Sequence, residues 1–153
     1  MDETEFADCF AYACNLLGRR AYSVNELRLK LQKKEYEFYT INAVVQECLD
    51  RRFLDDYDYA QCYLNVLKAR NYGLFKIKMY MKKKGLEEQI VEQVLDEGNI
   101  LEEELDLAKD ALQKKLFNLR NETDHRKLKE KCYRFLASRG FRSEIISKLI
   151  SEI

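Results

Sequence analysis

One short phrase occurs three times in this chain and constrains its fold more than any other feature. It reads Leu31-Gln-Lys-Lys-Glu-Tyr36, then Met81-Lys-Lys-Lys-Gly-Leu86, then Leu136-Ala-Ser-Arg-Gly-Phe141. Each copy has an apolar residue, a basic residue three positions on and a second apolar residue after five. Glycine precedes the second apolar residue in two of the copies. A fresh apolar helical pattern follows each: Ile41, Val44, Val45 and Leu49; Ile90, Val94 and Leu95; Ile145, Leu149 and Ile150. Self-similarity at about fifty residues implies a stacked array, in which each unit needs its neighbours to bury its apolar face.

The expected architecture is all-α: an elongated array of three tandem three-helix units, residues 1–53, 54–99 and 100–153, with about nine helices. Pro is absent and Gly occurs only 5 times, which favours uninterrupted helices over turn-rich β structure. In the first unit, Phe6, Phe10, Ala13, Leu16 and Leu17 recur at helical spacing and predict a helix over roughly 5–17. Ser23-Val-Asn-Glu26 has the form of a capping box, in which serine and glutamate satisfy each other's free backbone donors. Its helix carries Val24, Leu27 and Leu31 inward and ends near Lys33-Lys34; a third helix is expected after Thr40, running to about Arg52. The second unit starts at Asp55-Asp56, acids suited to a helix N-terminus, with Tyr59, Tyr63, Val66 and Leu67 as its apolar stripe. Asn71-Tyr72-Gly73 breaks that helix, Leu74, Ile77 and Met81 line the next, and Gly85 suits the position just past its end. The third unit begins near Glu102 with Leu105, Ala108, Leu112 and Leu116. It continues through Leu128, Cys132, Phe135 and Leu136 to a short helix from Ser143.

Net charge is zero, but its distribution is segregated. From Lys68 to Lys84 the charged residues are Lys68, Arg70, Lys76, Lys78, Lys82, Lys83 and Lys84, with no acid. From Glu87 to Asp106 every charged residue is Asp or Glu. Such segregation predicts a dipolar surface that the whole-chain sum hides.

Three-helix units of this size have helix-turn-helix proportions and often serve nucleic-acid binding. Each middle helix carries bases: Arg28, Lys30, Lys33 and Lys34; Lys76, Lys78, Lys82, Lys83 and Lys84; Arg126, Lys127, Lys129, Lys131, Arg134 and Arg139. Repeated at fixed geometry they suit a phosphate backbone. The plainer reading is that lysines in a helix's last turn complement its dipole and keep the surface soluble. Among the 10 tyrosines, Tyr59, Tyr63, Tyr72 and Tyr80 are interleaved with bases, a pattern compatible with base stacking. Tyr59 and Tyr63 sit on the inward stripe and read as core, whereas Tyr72, at the break beside Arg70, reads as exposed.

Catalysis finds no support in these residues. His125, the one histidine, serves no Ser or Cys motif and reads as a solvated helix-start residue; no phosphate-cradling Gly-rich loop occurs. The five cysteines are never spaced C-x-x-C, so a zinc site is not expected, and they read as small core residues in a reducing cytoplasm. No run of about 18 apolar residues exists and the N-terminus is acidic. Neither a membrane span nor a secretory signal is therefore expected.

These residues resemble the RecX regulators of the RecA recombinase over nearly the whole chain. Phe53-Leu54-Asp55-Asp56 with Tyr59-Ala60 and Tyr63 is similar to the family's "L-D-D-x-x-[FY]-A-x-x-[YF]" phrase. Tyr72-Gly73-Leu74-Phe75-Lys76-Ile77 is similar to "G-Y-G-x-x-x-I", and Arg139-Gly140-Phe141 with Ile145 to its C-terminal R-G-F motif. Arg19-Arg20 and Ser23-x-x-Glu26-Leu27 resemble its opening repeat. The chain departs at Glu35, where the other copies have glycine, at Asn71 and Leu74, and in a third helix of the first unit that reads as starting one residue late. The resemblance implies a cytoplasmic bacterial protein, a monomer without enzymatic activity or cofactor, that binds RecA filaments on DNA. It would lie along the filament groove and dampen ATPase, strand-exchange and co-protease activities, limiting recombination and the SOS response. The residues expected to meet filament or DNA are Arg70, Tyr72, Lys76, Lys82, Lys83 and Lys84, supported by Arg28, Lys33, Lys34 and Arg139. The residues alone leave two other readings open: a stand-alone DNA- or RNA-binding protein, and a protein-only helical adaptor.

Overall fold

The computed structural model describes residues 2–153. Nine α-helices, and no strand among the described residues, follow one another: α1 (Glu3–Arg19), α2 (Val24–Lys33), α3 (Phe38–Asp50), α4 (Asp56–Ala69), α5 (Leu74–Lys83), α6 (Glu88–Glu97), α7 (Ile100–Asn118), α8 (His125–Ser138) and α9 (Ser143–Ser151). None is long and apolar enough to cross a membrane. The structure exposes 9653 Å², whereas a compact monomer of this size exposes about 8,000 Å². The surplus is the signature of an elongated array.

Three separate cores form, one per helix triplet. The first holds Cys9, Ala13, Leu27, Leu31, Val44 and Cys48, all fully buried, and closes with Leu54. The second is built on Ala60, Leu67, Ile77, Met81 and Val94 and closes with Ile100. The third gathers Ala108, Leu112, Cys132, Leu136, Phe141, Ile146 and Leu149. Each of the first two cores thus takes its last residue from the segment opening the next triplet. A fully buried leucine or isoleucine contributes about 1.5–3 kcal/mol by leaving water, so these small cores suffice only as a chain of mutually supporting units.

The capping box stands as its sequence predicts: the Glu26 N–H donates to Ser23 Oγ and the Ser23 N–H to Glu26 Oε1, at 3.1 and 3.0 Å. Asp55 caps α4 by accepting from the Tyr57 and Asp58 N–H groups. Several local expectations are corrected. The third helix of the first unit starts at Phe38, before rather than after Thr40, and ends at Asp50. It is in step with its counterparts, since α3, α6 and α9 each begin two residues after Tyr36, Leu86 and Phe141. The apparent lag arises because Thr40 holds the place of Ile90 and Ile145, so the first apolar residue seen is one position later. In α4 the inward stripe is Ala60, Leu64 and Leu67; Tyr59 and Tyr63 flank it half-buried, and Val66 faces solvent. The stripe shifts by one because alanine, not tyrosine, fits the closest helix approach. Cys62 is exposed, so the cysteines are not uniformly core.

The threefold phrase builds the contacts between units. Lys34, Lys84 and Arg139 cap α2, α5 and α8, and the residue after each has positive φ: Glu35 at 63°, Gly85 at 75° and Gly140 at 87°. A Cβ on Gly85 would lie 2.3 Å from the Asn25 side chain of the first unit. One on Gly140 would lie 2.3 Å from the Lys76 backbone nitrogen of the second. Each loop thus docks on the start of the preceding unit's middle helix. Exposed Glu35 has no such neighbour, and glutamate there carries only the cost of the left-handed conformation, about 1–2 kcal/mol.

Candidate functional site

Helix α5 carries the densest group of expected contact residues, and its 3.6-residue period sorts them onto different faces. Leu74, Ile77 and Met81 point into the second core. Lys76, Tyr80 and Lys83, at i, i+4 and i+7, share one outward face. Tyr72, just ahead of the helix, tilts against Tyr80 with ring centroids 5.2 Å apart. The Lys76 and Lys83 ammonium groups each lie 5.6 Å from the Tyr80 centroid, and the Arg139 guanidinium lies 4.2 Å from that of Tyr72. Arg139 also donates to the Arg70 carbonyl, drawing the third unit onto the second. Hydrogen bonding with Tyr80, and then the charges of Arg139, Arg70 and Lys76, hold the Tyr72 phenol below its ordinary value against the opposing effect of burial. Tyr72, read from sequence as exposed, is half-buried under Arg139.

The structure therefore brings together Arg70, Tyr72, Lys76, Lys83 and Arg139. It does not bring the other five to them. Lys82 turns to the far side of α5, beside Lys78 and facing Glu88 and Glu92 across a recess of about 380 Å³. Lys84 ties the first two units: its ammonium lies 3.2 Å from Glu26 Oε2 and its carbonyl accepts from Ser23 Oγ at 2.7 Å. Burial pushes the Glu26 carboxyl up. The Ser23 N–H, the Tyr59 hydroxyl and the Lys84 ammonium outweigh that and hold it below its ordinary value. Arg28 donates to Asn42 Oδ1 at 2.6 Å within the first unit. Lys33 and Lys34 end α2, exposed, with Lys34 5.0 Å above the Tyr12 ring.

The sequence's charge segregation is partly cancelled by folding. Lys68 pairs with Glu103 at 2.7 Å and Lys78 with Glu92 at 3.5 Å, so acids of the 87–106 stretch neutralise bases of the 68–84 stretch. What escapes is the Tyr72–Tyr80 face. Among the described residues, Arg70, Lys76, Lys83 and Arg139 have no carboxylate within 4.0 Å.

Two residues that position this face were not singled out from sequence. Glu104, fully buried on α7, accepts from the Leu74 N–H at 3.0 Å and the Arg142 N–H at 3.3 Å, and pairs with the Arg142 guanidinium at 2.5 Å. Its signal was legible: it continues the inward series Ile100, Glu104, Ala108, Ala111, where an acid is out of place unless it has partners. Tyr80 is one of several tyrosines among bases in the sequence; its spacing from Lys76 and Lys83 is the signal that selects it.

Comparison with known proteins identifies the family of the chain. The model of the first three-helix domain of RecX matches residues 9–48, and that of its third three-helix domain matches residues 102–150. A regulatory protein RecX from Haemophilus influenzae (strain PittEE) is 33% identical over 144 residues, covering 94% of this chain and 93% of that protein. One from Clostridium beijerinckii is 30% identical over 156 residues, covering 99% and 71%. The crystal structure of RecX from Lactobacillus salivarius superposes with a TM-score of 0.83 at 22% identity, over 97% of this chain and 96% of that one. A second RecX crystal structure gives 0.85 at 19% identity, over 97% and 72%. The two structures share the fold, an all-α array of three-helix units, while the sequence relatives decide the family: the chain belongs to the RecX family.

Proposed function

We propose that this protein is a non-enzymatic regulator of a RecA recombinase, binding RecA filaments on DNA and damping their ATPase, strand-exchange and co-protease activities. The observation that carries this reading is similarity along almost the entire chain to proteins named regulatory protein RecX. An elongated array suits the task, because successive units can touch successive protomers of a filament. Occupying those surfaces shifts filament assembly by mass action and requires no chemistry. The α5 face is the proposed working surface, since among the described residues its four cations have no carboxylate partner and remain available to an acidic or phosphate-bearing one.

The test is the single-stranded-DNA-dependent ATPase of RecA, titrated with this protein. Inhibition is expected at substoichiometric to stoichiometric ratios, and the double variant Lys76→Glu, Lys83→Glu should lose most of it while keeping its helical circular dichroism. Full inhibition by that folded variant would exclude the α5 face, and no effect of the wild-type protein would exclude RecA as the target.

A further inference from the structure

The two junctions between units are built from corresponding residues, and they differ at one place. Counted back five positions from Leu31 and Met81 of the threefold phrase, Glu26 in the first unit corresponds to Lys76 in the second. Counted forward three from Met81 and Leu136, Lys84 corresponds to Arg139. At the first junction these positions form the Glu26–Lys84 ion pair at 3.2 Å. At the second junction the same two positions hold Lys76 and Arg139, and both lie against the Tyr72–Tyr80 pair. Arg70 and Lys83 add two more charges at the edges. The carboxylate that closes the first junction has no counterpart here. Arg139 Nε is buried and, among the described residues, lacks a hydrogen-bond partner. A cluster of like charges carries a standing repulsion, and no carboxylate among the described residues neutralises it.

We infer that the second junction is completed from outside by a phosphate of single-stranded nucleic acid, held between Lys76 of one unit and Arg139 of the next, with the strand continuing past Lys83 and the exposed part of Tyr80. Phosphate fits because a guanidinium and an ammonium together offer a fork and a point charge to a tetrahedral anion. A nucleic-acid strand is favoured over an acidic peptide because the cations surround two half-exposed aromatic rings, the pairing by which proteins hold unstacked bases beside a backbone. Because the phosphate bridges two units, its binding also locks the third unit to the second. This deepens the reading of the α5 face as the working surface, yet it is tested without RecA: inhibition of RecA that survives a failure here would leave that reading standing.

The experiment measures anisotropy of a labelled oligothymidylate with the full-length protein between 50 and 200 mM salt, alongside thermal melts with and without the oligonucleotide. Wild type should bind with a salt slope reporting several phosphates, and each lost cation should lower that slope by about 0.7. Lys76→Glu restores the pairing of the first junction. It should weaken binding at least tenfold, raise the melting temperature of the free protein and abolish the further rise that oligonucleotide gives to wild type. Gaining stability while losing binding is an outcome that a merely structural lysine does not produce. Tyr80→Leu, which leaves every charge in place, should weaken binding about fivefold, and the exposed Lys114→Ala on α7 should stay within twofold of wild type. Unchanged binding in Lys76→Glu, or an equal loss in Lys114→Ala, would overturn the assignment. Poly-glutamate competing as well as oligonucleotide would reassign the site to acidic protein, and inorganic phosphate or ATP competing equally at matched phosphate concentration would reassign it to small anions.

Discussion

The two junctions of this array solve one problem in different ways. Where the first unit meets the second, α2 is capped by its own Ser23 and Glu26, and the second unit adds Asp56, which accepts from the Val24 N–H at 2.9 Å, and Lys84. Where the second meets the third, α5 has no side-chain cap of its own. Its first donors go to the third unit: the Gly73 N–H to the Arg139 carbonyl at 2.9 Å, the Leu74 N–H to Glu104 at 3.0 Å and the Phe75 N–H to the Gly140 carbonyl at 2.9 Å. The first junction therefore adds to a helix start that already carries its own capping box, whereas the second supplies what α5 lacks. Both cores borrow a closing residue from the next unit, Leu54 for the first and Ile100 for the second, so the junctions differ in how the middle helix is capped rather than in whether the cores are shared. A repeat in sequence does not impose a repeat in energetics.

The largest effect that separates the junctions is expected from glycine. Gly140→Ala places a methyl group 2.3 Å from the Lys76 backbone nitrogen at a φ of 87°, with no flexible side chain to yield. Adding a left-handed penalty of about 1–2 kcal/mol to overpacking of about 1–3 kcal/mol, urea unfolding should show a loss of about 2–5 kcal/mol, toward the upper end because backbone atoms cannot yield, or dissociation of the third unit. Gly85→Ala meets the Asn25 side chain instead. The Asn25 Cβ, 2.3 Å away, is fixed to α2, but its Cγ and amide can turn aside, so the loss should be smaller than at Gly140, about 2–3 kcal/mol. Equal losses would mean that the two loops dock alike. Next comes Glu104→Ala, which strands the Leu74 and Arg142 N–H groups and leaves the Arg142 guanidinium without its buried partner. Removing one member of such a pair costs about 3 kcal/mol, measured by the same denaturation curve, with faster hydrogen exchange at the start of α5 as its local signature.

Much of this was legible beforehand, and the remainder shows what a linear reading misses. The nine helices, the capping box and the left-handed stops follow from local rules of spacing and capping, which depend on neighbours within about five residues. The grouping of the α5 cations was not legible as a list of lysines. Lys76 and Lys82 are close in sequence, yet six residues along a helix turn the side chain to another face. Lys84 read as a surface contact and proved to be a tie to Glu26, because its partner lies 58 residues away. Arg139 likewise read as support for a binding surface, while the structure also makes it the roof over Tyr72. Partners distant in the chain leave no periodic trace, and charged side chains at unit boundaries are where sequence reading is most exposed to that loss.

The smallest expected effect concerns the first junction and runs with pH. Glu26 has its carboxyl held below the ordinary value of 4.5 in the folded protein, so its interactions stabilise the fold fully above that value. As pH falls from about 4.5 through the lowered folded value, protonation removes that contribution. Asp56, at the same junction, behaves oppositely. Burial, then the carboxylates of Glu87, Asp55 and Glu26, raise its pKa against the hydrogen bond from Val24, so acidification relieves a cost. The two trends offset each other in wild type, and a simple acid titration would understate both. Glu26→Gln separates them. Relative to this variant, wild type should be more stable by about 1 kcal/mol above pH 5, the scale of a partly exposed pair with its hydrogen bonds. The difference should shrink steadily below pH 4.5 in urea titrations. A difference that grew on acidification would mean that Glu26 is held protonated and that the Lys84 contact does not close the junction.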